Sequence, residues 1–459
     1  MRILITVHQF LPDFAAGTEL LSLNVARELI SRGHEVRFVT GHPGPPEIRP
    51  DESRFDRYEY QGITIDRFTH AYVPMGGQSN VALLEHDNPI VGRHFAKLLS
   101  EFKPDLVHAY HLARLSTSPL AVCAEMGIPV VFTAMDFWTI CPLSQLLLPD
   151  HRPCGGPSPN GGNCIKHLAV FQKPSLPRRA MQYVPDGIVG AAAALARNHL
   201  FPPTPFNPLA AAMSVRPELI RRRFASVRKI IVPSQAMRRI LAANGLDESR
   251  MVLVRNAIDP SRIPRAFGKG EQRELRIGFI GTLAPHKAPH VLLEAIRKLP
   301  RDWPIRLTLH GPGDPASPYP RQLQALAAGD GRIQMPGGFP NGQIGRILAE
   351  IDVLVVPSVW YENTPTVIYE AQAAGCAVVA TDLAGMSEMI RPEQDGLLFP
   401  PGDSETLAEH LRRLGRDRPL VKRLCANAPP PPTVQNQATA LESIYREVLL
   451  PVTISAGPA

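Results

Sequence analysis

Glu362 and Glu370 are the pair of residues in this chain whose types and spacing best suit ligand binding or catalysis. They follow an aliphatic run at 352–358 bounded by turn signals, which predicts a strand buried on both faces of a parallel sheet. Thr364 is a good N-cap residue and Pro365 suits the first helical position, so a helix is predicted to begin there. Glu370 then lies about one and a half turns into that helix, and Glu362 lies in the loop before it. Open α/β sheets bind ligands at this edge, so both carboxylates can face one ligand.

The same spacing also fits a surface helix, with Glu362 as a cap and Glu370 in solvent. Taken alone, the pair would favour that explanation. The surrounding residues favour the ligand site, because the segment 357–371 reads PSVWYENTPTVIYEA. Further positions extend the pattern, namely Gly375, Gly385, Glu388, 395–403 and Leu407. The whole segment resembles the donor-sugar signature of retaining glycosyltransferases of family 4, the group 1 glycosyltransferases with the two-domain GT-B fold.

This resemblance implies an enzyme that transfers a sugar from a nucleotide-diphosphate sugar to a lipid-linked, polysaccharide or small-molecule acceptor, with no cofactor required for catalysis. It also implies that Glu370 binds the ribose hydroxyls. Glu362 would hold the donor sugar together with the backbone amides of Asn363 and Thr364, and it is a candidate catalytic residue. Carboxylates suit such a ligand, since each oxygen accepts two hydrogen bonds and ribose offers paired donors.

The loop 281–287 follows the first predicted strand of the second half and is placed to meet a diphosphate. Its Lys287 is the candidate diphosphate ligand. By resemblance, Gly281 and Thr282 belong to the same donor loop, and the turn Gly311-Pro-Gly313 lies beneath the nucleotide. The family usually has arginine at the position of Thr282, so one cation is missing. Three side chains elsewhere are candidates to replace it, namely Arg346, Arg332 and His286.

On the acceptor side, the resemblance points to the glycine loop around Gly17, which would meet the donor phosphate from across the cleft. His111 follows a predicted strand end, as in the His-x-x-His segment of the family, and is a candidate to orient an acceptor hydroxyl. A structural histidine is the alternative. The family usually has histidine where this chain has Met135, and methionine cannot accept a proton. If a base assists the reaction, Asp136 or His111 must supply it.

The departures from the family pattern motivate a second hypothesis, a non-catalytic nucleotide-sugar-binding protein of the GT-B fold. It predicts nucleotide binding without sugar transfer. A nucleotide-sugar epimerase or a glycogen-type phosphorylase is a third, but no additional signature for either is present.

Three cysteines and a histidine form a spaced set that is a candidate zinc site: Cys141, Cys154, Cys164 and His167. The last two are in a Cys-x2-His arrangement, which fits half of a zinc site. Glycine and proline between 154 and 162 allow the loop to fold back. Unlinked thiols are the alternative, and disulfides are not expected in a reducing cytoplasm.

Both halves of the chain open with strand, glycine-containing loop, helix and strand. These elements are predicted at 2–7, 18–32 and 35–39, and again at 275–280, 289–298 and 305–309. Each is the opening βαβ unit of a doubly wound sheet. The sequence therefore predicts an α/β fold of two tandem Rossmann-like doubly wound parallel-sheet domains with an interdomain cleft.

We place the acceptor-side domain at 1–262, a charged linker at 263–274 and the nucleotide-sugar-binding domain at 275–428. A proline-rich break and a helix at 429–459 follow, and by resemblance this helix crosses back onto the first domain. The first domain also carries a cysteine-rich loop at about 141–167 and an alanine- and proline-rich helical insert at about 174–212. The pattern assigns no role to that insert.

A length of 459 residues suits two domains, and 20% charged with 44% hydrophobic residues is a globular composition. A strand-like start without an apolar signal core favours a cytoplasmic location. The apolar segment 187–196 is shorter than the roughly 20 residues that span a bilayer. The net charge of +7 includes basic clusters such as 221–223, which suit either solvated helix faces or peripheral contact with anionic lipids at the inner face of the membrane. No aromatic residues interleave with them, so nucleic acid is not an expected partner.

Overall fold

The computed structural model describes residues 1–44, 54–70, 73–75, 77–172, 180–200, 202, 204, 206–266 and 268–450. These residues form two α/β units, each built on a mostly or wholly parallel sheet. The predicted fold class is confirmed. Apolar strands such as β1 (Arg2–Val7) and β12 (Val353–Val356) are buried along almost their whole length, as expected for sheets covered by helices on both faces.

In the described part of the first unit, eight strands pair in the order β3-β4-β2-β1-β5-β6-β7-β8. After β1 they are β2 (Glu35–Pro43), β3 (Phe55–Tyr60), β4 (Ile63–His70), β5 (Leu106–Ala109), β6 (Val130–Thr133), β7 (Lys229–Val232) and β8 (Met251–Leu253). The helices are α1 (Gly17–Ser31), α2 (Val81–Leu84), α3 (Pro89–Phe102), α4 (Ser118–Glu125), α5 (Gly162–Gln172), α6 (Asp186–Arg197), α7 (Asn207–Phe224) and α8 (Gln235–Ala243).

The described second unit has six parallel strands in the order β11-β10-β9-β12-β13-β14. Besides β12 they are β9 (Leu275–Ile280), β10 (Ile305–His310), β11 (Ile333–Gly337), β13 (Ala377–Thr381) and β14 (Gly396–Phe399). The helices from here to the end are α9 (Pro289–Arg297), α10 (Tyr319–Ala327), α11 (Ile344–Ala349), α12 (Thr366–Ala373), α13 (Ser404–Arg416), α14 (Arg418–Ala426) and α15 (Val434–Leu449).

The hairpin of β3 and β4 is the antiparallel edge of the first sheet, and the sequence patterns did not predict it. Gln61 and Gly62 form its two-residue turn with φ of 54° and 78°. Positive φ at both turn positions is the geometry that matches the twist of two antiparallel strands. The Gln-Gly pair, flanked by segments in which apolar and polar residues alternate, was the sequence signal for this hairpin.

The start of α12 differs from the prediction. The helix begins at Thr366 and Pro365 occupies the N-cap position, so the assignment of Thr364 as N-cap was wrong. The physical reason is that the Thr364 hydroxyl accepts a hydrogen bond from the Asn256 amide at 2.8 Å, which holds it away from the helix.

Helix α15 packs on the first unit, although it follows the second in sequence. Leu441 and Tyr445 are buried in the same cluster as the β1 residues Ile3 and Ile5. The Tyr445 hydroxyl also lies 2.5 Å from Nδ1 of the fully buried His108. His108 therefore anchors the end of the chain to the first sheet.

The predicted linker at 263–274 packs against the second unit. The amide of Gly270 donates to the buried Asp352 carboxylate at 3.0 Å, and the Lys269 ammonium donates to the Leu348 carbonyl at 2.5 Å. The predicted insert at 174–212 corresponds to α6 and part of α7, and its first residues lie outside the described ones. Within the described residues, no helix has the length and apolar character that crossing a membrane requires.

Candidate active site

A cleft of about 380 Å³ lies between the two units at the carboxyl ends of β9 and β10. The loop before α1 forms one wall, with Ala16 and Gly17. Gly281, Thr282 and Gly311 form the other wall. The volume is in the range of sites for drug-sized ligands, and the position is where doubly wound sheets bind them.

Two glycines allow the second unit's loops to meet closely beneath the cleft. A side chain on Gly311 would place its Cβ 1.8 Å from the Gly281 carbonyl oxygen, so residue 311 must be glycine for this turn to close. Gly17 is the first residue of α1, and a Cβ atom added to it would have no other atom within 4 Å. Its missing side chain leaves the helix N-terminus accessible to the cleft, and such a terminus favours an anionic group.

Glu370 and Arg262 are the opposed charges of the cleft. Glu370 projects from α12 into the cleft, and burial raises the pKa of its carboxyl group to about 7, although Arg262 acts in the opposite direction. Arg262 is exposed, and its guanidinium makes no hydrogen bond or ion pair with any described residue, so it is available to a ligand. The sequence patterns missed Arg262, because it lies just before the second unit and outside any recognised motif.

None of the three cations suggested as replacements lines this cleft. Arg332 forms an ion pair with Asp330 at 2.7 Å, and Arg346 is exposed on α11. His286 packs edge-on against the Trp360 ring, and burial lowers the pKa of its imidazole to about 4. Among the described residues that line the cleft, Arg262 is the one arginine or lysine.

Lys287 and Glu362 are paired with each other beside the cleft. The Lys287 Nζ atom lies 2.5 Å from a Glu362 carboxylate oxygen and 5.0 Å from the centre of the Trp360 ring. Glu362 is 6% exposed, so it does not lie on an outward surface. The lysine predicted as a diphosphate ligand thus forms an ion pair with the glutamate predicted to hold the sugar, and both assignments stay predictions. Neither residue is in the lining of the 380 Å³ cleft, and Gly313 is also outside it.

The loop that carries Glu362 joins the two units. The side-chain amide of Asn363 donates to the backbone carbonyl of Met135 at 2.6 Å. The Trp360 indole donates to the backbone carbonyl of Gln145 at 2.5 Å. Gly385 supports the loop from behind, because a Cβ there would lie 1.6 Å from the Asn363 carbonyl oxygen. Glu362 is thus held against the part of the first unit that contains Asp136.

His111 and Asp136 form a hydrogen-bonded pair at that junction. The Ala113 amide donates to His111 Nδ1 at 3.0 Å, so the ring proton is on Nε2, which donates to Asp136 at 2.8 Å. Burial raises the pKa of Asp136, but His111 and the Trp138 amide more than offset this and hold the pKa below its ordinary value. The carboxylate is therefore ionised, and both nitrogens of His111 are occupied.

A second histidine connects this pair to the glycine loop. The His8 ring lies 4.3 Å from the His111 ring, and its Nε2 is 3.6 Å from the carboxylate of the fully buried Glu19. Burial lowers the pKa of His8 to about 3, so its imidazole is neutral. The other Glu19 oxygen accepts from the Ala16 amide at 3.0 Å and fixes the loop that enters the cleft.

The four predicted zinc ligands line one small cavity of about 20 Å³. Burial raises the pKa of the Cys164 thiol to about 12, and the neighbouring Cys141 and Cys154 contribute in the same direction. Among the described residues, no three or more His, Cys, Asp or Glu side chains are arranged to hold a metal ion. Zinc stays a prediction, and metal analysis of the purified protein decides it: one zinc per chain supports the site and its absence rejects it.

Two sequence profiles match this chain. The one described as Glycosyl transferases group 1 matches residues 274–417, and Glycosyltransferase Family 4 matches residues 15–152. The amylovoran biosynthesis glycosyltransferase AmsK of Erwinia amylovora is 24% identical over 416 residues, which cover 89% of this chain and 90% of AmsK. Several other curated relatives match over less than half of their own length.

Solved structures show the same architecture. Sucrose-phosphate synthase from Thermosynechococcus elongatus has a TM-score of 0.64 at 16% identity, and the match covers 97% of this chain and 98% of that one. Anabaena HepE in complex with UDP has a TM-score of 0.63 at 16% identity and covers 97% and 100%. With profiles matching both units and the fold shared across the whole chain, the protein belongs to the group 1, family 4 glycosyltransferases and has their GT-B fold.

Proposed function

We propose that the protein transfers a sugar from a nucleoside diphosphate sugar to a hydroxyl group of a lipid-linked or polysaccharide acceptor, with retention of the anomeric configuration. The observation that carries the proposal is the cleft in which Gly17, Arg262 and Glu370 converge. A helix N-terminus and a free guanidinium suit a diphosphate, and a carboxylate suits ribose hydroxyls.

We assign a position to each part of the donor from the arrangement of these groups. In this proposal the ribose lies at Glu370 and the diphosphate lies between Gly17 and Arg262. The sugar then extends toward the Glu362 loop, where the Glu362 carboxylate and the amides of Asn363 and Thr364 hold its hydroxyls. Lys287 positions Glu362 and keeps its charge compensated, since the two groups are in contact.

In the reaction, the acceptor oxygen bonds to the anomeric carbon as the bond from that carbon to the diphosphate breaks on the same face. The acceptor proton passes to the departing phosphate oxygen, so the products are the glycosylated acceptor and the nucleoside diphosphate. Asp136 accepts a hydrogen bond from the acceptor hydroxyl and orients it. Its lowered pKa makes it a weak base, and His111 holds it in place.

A panel of nucleotides and nucleotide sugars tests the proposal in two steps. Thermal shift first identifies the nucleotide, starting from UDP because the solved HepE structure contains it. A ligand that binds only the folded state raises the melting temperature as its concentration rises. Hydrolysis of the matching labelled nucleotide sugar is then compared for the wild type and Glu362→Gln, with Glu409→Gln on the exposed face of α13 as the control.

We expect binding of one nucleotide class, with slow hydrolysis that Glu362→Gln removes and Glu409→Gln keeps. The anomeric configuration of the transferred sugar is read by NMR once an acceptor is found. Binding without any turnover would favour the non-catalytic alternative, and the absence of binding across the panel would contradict the proposal.

A further inference from the structure

A fully buried arginine connects helix α7 to the acceptor side of the active site. Helix α7 begins inside the predicted helical insert, to which the sequence patterns assigned no role. Its Arg216 is 2% exposed, and the guanidinium forms no ion pair with a described residue. A buried charge is costly unless other polar groups satisfy it. The groups that Arg216 contacts must therefore offset this cost.

The guanidinium of Arg216 binds the turn at 138–140. Its Nη1 atom donates to the Ile140 carbonyl at 2.8 Å, and its Nη2 atom donates to the Trp138 carbonyl. The guanidinium carbon also lies 5.6 Å from the centre of the Trp138 ring. Burial lowers the pKa of Arg216 to about 10, so the group stays charged at neutral pH. Hydrogen bonds from a charged donor are stronger than those between neutral groups, so this turn is firmly held.

The turn needs such a donor, because its own backbone leaves two carbonyls unpaired. The amides of Ile140 and Cys141 both donate to the Phe137 carbonyl, at 2.9 and 2.7 Å, and close a single helical turn. Among the described backbone amides, none donates to the carbonyls of Trp138 and Ile140. Both residues are buried, and a buried carbonyl without a donor is unfavourable. Arg216 supplies the hydrogen bonds that a longer helix would have supplied.

Trp138 connects this contact to the acceptor side of the site. Its backbone amide donates to one carboxylate oxygen of Asp136 at 2.8 Å, while its carbonyl accepts from Arg216. The other carboxylate oxygen of Asp136 accepts from His111 Nε2 at 2.8 Å. The direction of the Asp136 side chain therefore depends on the backbone of Trp138, and Arg216 fixes that backbone.

Helix α7 is itself held in place by close backbone packing. A Cβ on Gly161 would lie 2.8 Å from the Met213 carbonyl oxygen, so α7 and the segment before α5 meet with no room for a side chain. Met213 is buried and precedes Arg216 by three residues, which places the two on the same side of the helix. The insert therefore presents Arg216 from a packed support.

We propose that Arg216 is a positioning residue for sugar transfer: it holds the Trp138 backbone so that Asp136 faces the acceptor hydroxyl, and the helical insert serves to place it there. The part that concerns the acceptor rests on the proposed function, whereas the link from Arg216 to Asp136 and His111 does not. Arg216 lies outside the donor cleft and acts through Trp138 and Asp136.

The His111 imidazole reports on the position of the carboxylate. In protein with isotope-labelled histidine, the Nε2 proton that donates to Asp136 gives an NMR signal at high frequency, which is assigned by its loss in His111→Gln. We expect Arg216→Ala to shift or remove this signal and millimolar ethylguanidinium to restore it. Arg221→Ala should leave the signal unchanged and is the matched control, because Arg221 is exposed on the same helix and paired with Glu218. An unchanged signal in Arg216→Ala would overturn the proposal.

Hydrolysis of the labelled nucleotide sugar measures the catalytic consequence. Arg216→Ala should lower kcat about tenfold or more, because a small displacement of a positioned group has effects of this order. The KM for the nucleotide sugar should be unchanged, since Arg216 does not line the donor cleft. Asp136→Asn/Arg216→Ala should be no slower than Asp136→Asn alone, because Arg216 acts through Asp136. A loss that falls on KM, or losses that multiply in the double variant, would overturn the proposal.

Arg216→Lys keeps a charge in the core and covers the case in which Arg216→Ala does not fold. The lysine ammonium lacks the planar fork that reaches two carbonyls at once, so we expect a kcat below that of the wild type and a displaced His111 signal. If circular dichroism shows Arg216→Ala to be unfolded, Arg216→Lys replaces it in both measurements. A wild-type kcat and His111 signal in Arg216→Lys would then overturn the proposal.

The two measurements separate this proposal from the proposed function. Absence of hydrolysis by the wild type, together with the expected change in the His111 signal, would remove the proposed function and leave Arg216 as the group that holds Asp136 and His111. Hydrolysis by the wild type, with a kcat and a His111 signal that Arg216→Ala leaves unchanged, would do the reverse.

Discussion

Replacing Glu370 with glutamine should stabilise the free protein and weaken nucleotide binding. Burial raises the pKa of this carboxyl group from 4.5 to about 7. Between these two pH values the folded protein keeps a proton that the unfolded chain has lost, so the free energy of unfolding falls as the pH rises. The loss is complete above pH 7. A shift of that size corresponds to about 3 kcal/mol at most. The carboxyl group faces an open cleft, which reduces the expected penalty to about 1 to 2 kcal/mol.

Urea denaturation at pH 5 and pH 8 measures this effect. We expect Glu370→Gln to be more stable than the wild type by about 1 to 2 kcal/mol at pH 8, with a much smaller difference at pH 5. Glu409→Gln, on an exposed helix face, should match the wild type at both pH values. Equal stability of Glu370→Gln and wild type at pH 8 would show that the carboxyl group is not buried at a cost.

The same variant tests the role of Glu370 in binding. Hydrogen bonds to a charged group contribute about 1.5 to 3 kcal/mol, so Glu370→Gln should bind the nucleotide about ten- to a hundredfold more weakly at pH 8. Isothermal titration calorimetry gives the dissociation constants. A stabilised variant that binds the nucleotide as tightly as the wild type would refute the assignment of the ribose to Glu370.

Three further predictions concern the other groups of the site. Arg262→Ala should weaken nucleotide diphosphate binding about tenfold or more by calorimetry, whereas Arg346→Ala should have no effect, since Arg346 is outside the cleft. Lys287→Met and Glu362→Gln should each destabilise the protein to urea, because each substitution leaves the other residue of the ion pair without its partner. A double-mutant cycle should show a coupling free energy of about 1 kcal/mol or more between the two positions. Additive effects would contradict the contact. Glu388→Gln should speed amide exchange in the first turn of α8, whose backbone amides donate to the Glu388 carboxylate at 2.8 and 2.6 Å; unchanged exchange would show that this contact does not hold the two units together.

The sheets and the cleft were accessible to sequence reasoning because buried parallel strands are nearly continuous apolar runs. Residues 353–356 and 377–380 show this clearly, and the structure has strands at both places. The edge hairpin at 55–70 was not predicted, since its solvent-facing residues dilute the apolar pattern. The Gln-Gly turn at 61–62 carries the signal for it.

The contacts among the charged side chains of the site were less accessible to sequence reasoning than its backbone. Loop glycines are tied to local geometry, and Gly281 and Gly311 do lie in the cleft wall. Partner choice among charged side chains depends on packing between distant segments. Lys287 contacts Glu362, which is 75 residues away in sequence, and among the described residues that line the cleft the cation is Arg262, from the segment between the units. No sequence pattern in either segment encodes these side-chain positions.

A crystal structure of the protein with the nucleotide found by thermal shift is the most direct test of the account. We predict ribose hydroxyls within hydrogen-bond distance of Glu370, with the diphosphate between the start of α1 and the Arg262 guanidinium. A nucleotide bound elsewhere, or bound here with both of these groups out of contact, would contradict the central claim.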